Sequence, residues 1–258
     1  MSKKKRRNRL VFFFMAALVA VAAVLFIGRK HFIPPPIERI VTVRYPAFGI
    51  RMPGNFRVHG IDVSRYQGWI NWSLVSAMRI DSMGIDFSFI KATEGESRVD
   101  PFFSRNWSLV KGTRIIRGAY HYFRARQDAE AQANAFIRQV VLQPGDLPPV
   151  LDVEELDGAS PVRLVEGVRK WVKRIEAHYG VSPILYAGAR FYASYLQAHF
   201  PEQPVWVAHY YEPVAPRLNR SWVFWQHNDR GRVDGIRHLV DFNVFAGSRT
   251  EFDKLRIP

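Results

Sequence analysis

From His59 onward, short apolar runs rich in β-branched and aromatic residues alternate with helical stretches. This alternation constrains the fold more than any other feature of the chain. The strand candidates are Gly60–Ser64, Phe87–Thr93, Arg117–Phe123, Pro149–Glu154, Pro183–Ala187, Val205–Tyr210, Val223–Asn228 and Val240–Phe245. Helices are predicted between the first six of them, over Trp72–Ser82, Phe102–Lys111, Asp128–Leu142, Ser160–Tyr179 and Arg190–Phe200. The third places Ala129, Ala133, Phe136, Ile137 and Val140 on one face. The fourth has Ser160 as N-cap, Pro161 at its first position, Gly180 at its exit and a buried stripe of Leu164, Val168, Trp171, Val172 and Ile175. Segments 211–222 and 229–239 are rich in Pro, Gly, Asn, Asp and Arg and show no helical stripe. The pattern is therefore five β/α units followed by three loop-connected strands. Eight strands can close on themselves and remove every sheet edge. The predicted class is α/β, an irregular (β/α)5(β)3 TIM-like barrel over residues 59–247, preceded by an N-terminal transmembrane or signal helix. In such barrels active groups gather at the C-terminal ends of the strands.

Leu10 to Ile27 is an unbroken apolar run of 18 residues. As a helix it would extend roughly 27 Å, against a bilayer core of about 30 Å. Six Lys/Arg precede the run, and Arg29 and Lys30 follow it. That asymmetry predicts residues 1–9 in the cytoplasm and everything beyond residue 30 exported. An uncleaved inner-membrane anchor is favoured by the length of the run. Cleavage near Ala20-Val21-Ala22, giving a secreted protein, is the competing expectation. The domain is thus expected on the periplasmic or extracytoplasmic side. Residues 28–58, with Pro34-Pro35-Pro36, are predicted to be a linker, and 248–258 a C-terminal tail. Ile40-Val41-Thr42-Val43 suits a short strand or an extended arm.

Net charge is +14, but eight of the basic residues lie in the first 30 positions, where there is no acid. The remaining 29 basic and 23 acidic residues suit contact with an anionic polymer without marking a nucleic-acid binder. Cysteine is absent, which excludes disulfides, thiolate metal sites and cysteine nucleophiles.

The fourth strand candidate reads Pro149-Val150-Leu151-Asp152-Val153-Glu154. Alternation places Asp152 and Glu154 on one face, with Leu151 and Val153 facing the helices. Two acids in a barrel mouth are costly without partners or a task, and their proximity should keep one protonated and one ionised. A glycosidase requires that division of labour. Asp62 in Gly60-Ile61-Asp62-Val63-Ser64 and Asp241 in Val240-Asp241-Phe242-Asn243-Val244 repeat the arrangement of an acid between apolar neighbours.

These stretches, together with Gln67-Gly68, Ile70-Asn71-Trp72, Phe89-Ile90-Lys91-Ala92-Thr93-Glu94-Gly95, Gly118-Ala119-Tyr120-His121-Tyr122-Phe123, Pro183-Ile184-Leu185-Tyr186, Trp206-Val207-Ala208-His209-Tyr210 and Trp225-Gln226, resemble the glycoside hydrolase family 25 lysozymes, the muramidases of the Chalaropsis type. The resemblance covers 59–247 and implies an irregular β/α barrel. It implies hydrolysis of the β-1,4 bond between N-acetylmuramic acid and N-acetylglucosamine in peptidoglycan. Carried over, Glu154 is the general acid, Asp152 and Asp62 flank the reacting sugar, and Asp241 completes the acidic floor. Direct attack by a carboxylate and assistance by the substrate's 2-acetamido oxygen, with Asp152 orienting the acetamido N–H, both remain open.

Lys91, Glu94, Tyr120, Tyr186, Trp206, Tyr210 and Gln226 are the candidate substrate contacts. Aromatic faces pack on sugar rings and tyrosine hydroxyls hydrogen-bond. Trp225 is assigned to the core. His121, His209 and His227 fall on three strands without a metal-ligand spacing, so no metal or other cofactor is expected. Peptidoglycan strands and the membrane are the expected partners, nucleic acid is not, and a monomer is expected. The competing function is a non-catalytic peptidoglycan-binding envelope protein on the same barrel.

Overall fold

The computed structural model describes residues 41–258 apart from Ser82 and Pro213. The apolar run at Leu10–Ile27 lies outside the described residues. Among those that are described, no helix is long and apolar enough to cross a membrane.

Strands β1 (Thr42–Tyr45) and β2 (Ile50–Pro53) form an antiparallel hairpin. The barrel is built from β3 (His59–Val63), and then, after the small hairpin β4 (Arg79–Ile80) and β5 (Met83–Gly84), from β6 (Phe87–Glu94). The short β7 (Arg98–Val99) pairs only with the end of β6. Around the barrel follow β8 (Ile116–Tyr122), β9 (Val150–Asp152), β10 (Ile184–Gly188), β11 (Val205–Ala208), β12 (Phe224–Gly231) and β13 (Val240–Phe245), which returns to β3. Every junction from β3 to β12 is parallel. β13 is antiparallel to both of its neighbours. The eight-stranded closed barrel matches the predicted count, with each strand within a few residues of its expected place.

One expectation fails at β13. The carboxylates were expected at C-terminal strand ends, but Asp241 is the second residue of its strand. Because β13 runs in reverse, its beginning lies at the mouth where the other strands end.

Helices α1 (Trp72–Ala77), α2 (Phe103–Val110), α3 (Ala129–Gln139) and α4 (Pro161–Tyr179) follow β3, β6, β8 and β9. Ser160 caps α4 by accepting from Arg163 N, and Gly180 ends it in the left-handed conformation. The first helix is shorter than predicted. Asp81, with φ +56°, turns the chain so that Arg79–Ile80 pairs back on Met83–Gly84. After β10 the predicted helix is one short turn, Ala189–Phe191, continued by a π-helical turn, Tyr192–Leu196, that buries Tyr192 and Leu196.

Apolar residues occupy two layers. Leu151, Val153, Val168 and Trp171 belong to the layer between strands and helices. Phe87, Phe89, Trp206, Phe224 and Phe245 belong to the layer inside the barrel. Gly60 and Gly118 leave room for those rings: a Cβ there would stand 2.4 Å from Phe87 and 2.5 Å from Phe89. Both ends of the described chain join this packing. Phe48, in the β1–β2 turn, meets Phe242 edge-on at 5.4 Å. Ser248 caps a final helix, α5 (Arg249–Leu255), whose Phe252 is buried against Phe87, Phe224 and Phe245. Burying such a ring contributes about 1.5–3 kcal/mol.

Candidate active site

The strands bring four carboxyls to one mouth. Asp152 ends β9, with Tyr122 and Tyr186 as its register partners on either side. Asp62 and Asp241 face each other across β3 and β13. Glu154 lies two residues beyond the end of β9. Val153 N still donates to Tyr186 O at 2.9 Å, so the extended pairing continues and Glu154 faces the same way as Asp152. A cavity of about 230 Å³ is lined by all four acids together with Lys91, Tyr120, Tyr186, Trp206, Tyr210 and Gln226. Ser64, Tyr66 and Tyr122 complete its wall.

Asp62 is buried and held by two amides. Gln226 Nε2 and Asn243 Nδ2 each donate to its Oδ2 at 2.7 Å. The amide orientations are forced from behind. Trp206 Nε1 is only a donor and reaches Asn243 Oδ1 at 2.8 Å, so Nδ2 must face the carboxylate. Tyr186 and Tyr210 both donate to Gln226 Oε1, the former at 2.6 Å. Trp206 stacks on Phe89 at 4.6 Å and anchors the floor to the apolar interior.

Burial dominates the electrostatics. It pushes the Asp62 carboxyl up to about 6, against the two amide hydrogen bonds, and the Glu154 charge adds to the rise. It pushes Asp241 up to about 9, helped by the charge of Asp62. Asp152 is raised well above the ordinary carboxylate range by burial and by the charge of Glu154. Glu154 is exposed by surface area, yet enough protein surrounds its carboxyl for desolvation to raise it too. Asp152 and Glu154 titrate as a pair, with burial raising both and the Glu154 charge adding to the rise in Asp152. Asp152 Oδ1 is buried without a hydrogen-bond partner. The Lys91 charge opposes the rise in both.

Lys91 makes its direct ion pair with Glu94, at 2.8 Å, rather than with a cavity acid. Glu94 also binds Arg98 and Arg124 and does not line the cavity. Burial alone would raise Glu94, but Lys91 and Arg124 outweigh it and hold the carboxyl down to about 2. Glu94 therefore stands outside the group that the structure gathers. Lys91 Nζ at 4.7 Å and Arg124 Cζ at 4.8 Å both lie over the Tyr122 ring.

Asn243 and Tyr122 were not among the sequence candidates. Each stands two positions from one that was relevant, Asn243 from Asp241 and Tyr122 from Tyr120, and the strand period of two marks both. Trp225 is buried outside the cavity, its Nε1 donating to His209 O at 2.8 Å. His121 is a core residue between Thr93 and Gln132, stacked on Trp171, and burial pushes it down to about 4. His209 faces Glu212 at 3.7 Å, and His227 is buried beside Trp225. Among the described residues no group of His, Asp and Glu is placed to hold a metal ion.

The model of the Glycosyl hydrolases family 25 matches residues 61–236. Over 205 residues the chain is 49% identical to the uncharacterized protein YegX of Escherichia coli (strain K12), a match covering 80% of this chain and 75% of that one. It is 36% identical over 206 residues to Lysozyme M1 of Streptomyces globisporus, covering 74% and 68%. The solved structure of a family 25 glycosyl hydrolase from Bacillus anthracis is similar with a TM-score of 0.72 and 32% identity, covering 82% of this chain and 99% of that one. A closed barrel with four acids at its mouth, a family model spanning most of it and relatives at this level of identity lead to one conclusion: the chain belongs to glycosyl hydrolases family 25.

Proposed function

We propose that this protein is a peptidoglycan hydrolase, an N-acetylmuramidase that cleaves the β-1,4 bond between N-acetylmuramic acid and N-acetylglucosamine. The observation that carries this reading is the convergence of Asp62, Asp152, Glu154 and Asp241 on one cavity walled by Tyr120, Tyr186, Tyr210 and Trp206. Glu154 is the general acid, because it is the carboxyl exposed to an incoming glycosidic oxygen. Asp152, which lines the cavity, receives the N–H of the substrate's acetamido group. That hydrogen bond favours ionised Asp152, which in turn favours the protonated form of Glu154, so substrate binding helps to arm the acid. The acetamido oxygen then attacks the anomeric carbon as Glu154 protonates the leaving oxygen, and a water opens the intermediate with Glu154 as base. Asp62, fixed by Gln226 and Asn243 and ionised above about pH 6, stabilises positive charge at the anomeric centre, with protonated Asp241 beside it in the floor.

The run Leu10–Ile27, with six Lys/Arg before it, supports placing the chain at the inner membrane with the barrel on the extracytoplasmic side, acting as a monomer. The test is digestion of purified peptidoglycan followed by mass spectrometry. Products with a reducing-end N-acetylmuramic acid are expected. Anhydro-muramic products would replace hydrolysis with lytic transglycosylation, and intact peptidoglycan would end the enzymatic reading.

A further inference from the structure

The turn after β3 leaves two aromatic rings in solvent: Tyr66 is 69% exposed and Trp69 70%. Tyr66 lines the acidic cavity, whereas Trp69 lines a separate open groove of about 840 Å³. The turn is pinned along its length. Ser64 and Gln67 form a reciprocal capping box, and Gln67 Nε2 donates to Leu239 O at 2.9 Å. Arg105 Nη1 donates to Ile70 O at 3.0 Å, and Asn71 N to Gly235 O at 2.9 Å. The exposure of both rings is thus imposed by a fixed backbone.

The groove joins apolar walls to positive charge. Trp69, Leu74, Leu109 and Ile236 line it, with Leu74 and Leu109 about half exposed. Arg105 and Arg237 are its charged side chains, and no acid is among its described lining residues. Arg105 lies over the Trp69 ring at 4.4 Å, and the edge-on Phe102 ring stands 6.0 Å away. Apolar walls with two guanidiniums and no acid suit a short chain of small apolar side chains bearing free carboxylates. Peptidoglycan carries such a chain, the acidic stem peptide on the lactyl group of muramic acid.

We infer that this groove, whose Trp69 lies on the same turn that carries Tyr66 to the cavity, binds the acidic stem peptide of the glycan strand being cut. The inference rests on the muramidase reading. Its occupant follows from charge complementarity and from the single short turn that places Tyr66 in one site and Trp69 in the other.

The experiment compares kcat/KM on two substrates, glycan strands bearing stem peptides and the same strands stripped by an amidase. Wild-type protein should favour the peptide-bearing strands. In Trp69→Ala, and independently in Arg237→Glu, the ratio of kcat/KM on bearing to stripped strands should fall about tenfold, which corresponds to about 1.4 kcal/mol of lost contact. Melting curves establish that each variant is folded, and Arg237 is an exposed loop residue whose replacement leaves the pinned turn intact. An unchanged ratio in both variants overturns the proposal. Equal loss on both substrates also overturns it, because the groove would then hold sugar. Wild-type protein that cuts neither substrate would fail the muramidase reading itself, a separately visible result that takes the groove assignment down with it.

Discussion

Replacing Asp241 by Asn should stabilise the protein, by an amount that grows with pH. In the folded protein burial and the Asp62 charge push the Asp241 carboxyl from 3.8 up to about 9. The native state therefore keeps a proton that the unfolded chain loses near its ordinary pKa. Stability from this group is fully present below about pH 4 and is lost as pH rises towards 9. Between 3.8 and pH 7 lie about three pH units, and at about 1.4 kcal/mol per unit the ceiling on the loss is about 4 kcal/mol. Asp62 and Asp241 titrate as a pair, so the part lost with Asp241 alone is smaller than this ceiling, on the order of 2 kcal/mol. At about 2–4 °C per kcal/mol for a domain of this size, Asp241→Asn should melt about 4–8 °C higher at pH 7. Asn keeps the shape and an N–H for Asp62 while removing the ionisable group. The assay is a set of thermal melts of both proteins at pH 4, 7 and 9. The gap should be near zero at pH 4 and widest at pH 9. A gap that does not change with pH, or a variant less stable at pH 9, would refute the argument.

Glu154→Gln should fold normally and lose about 10²–10⁴ in kcat on purified peptidoglycan, the usual value of general acid catalysis; retention of more than a tenth of wild-type turnover removes Glu154 from that role. Asp152→Asn should cut turnover strongly while glycan co-sedimentation persists, and near-normal turnover would shift the role to Asp62 or Asp241. The full-length protein should stay with membranes through high-salt and carbonate washes, whereas a mature N-terminus near Val21–Ala23 would show that the segment is removed.

The barrel was legible because its strands carry an unambiguous signal. Val240–Phe245 alternates acid and amide with Phe and Val, and the observed strand has the same bounds. The β1–β2 hairpin was less legible, since Pro46, Gly49 and Pro53 punctuate a stretch that follows a proline-rich segment, and only packing of Phe48 on Phe242 shows why it pairs. The tail 248–258 hid a helix because its apolar content is small; Phe252 is the residue that the barrel interior takes up. At the site, alternation revealed the acids but not their neighbours across strands. Glu94 read as a cavity residue because it follows Lys91 in a motif. Its carboxylate is instead drawn to Arg124, 30 residues away, a contact that local sequence does not encode.

The reversed strand explains how this barrel crowds four carboxyls together. In an all-parallel barrel the eighth strand would bring its end to the mouth, and Asp241, near its start, would sit at the opposite rim. Running β13 backwards sets Asp241 directly beside Asp62 and puts Asn243 beside Gly60. Asn243 then stands deep enough to reach Trp206 on one side and Asp62 on the other. The same inversion sends Phe245 to the far end, where it meets Phe224 and Phe252. One change of direction thus divides a single six-residue strand between an acidic mouth and an aromatic base. The cost falls on the mouth, where burial raises carboxyls that would be ionised in water, Glu154 among them. That cost is what a glycosidase can use, because a carboxyl that still holds its proton at neutral pH is one that can deliver it to a leaving sugar.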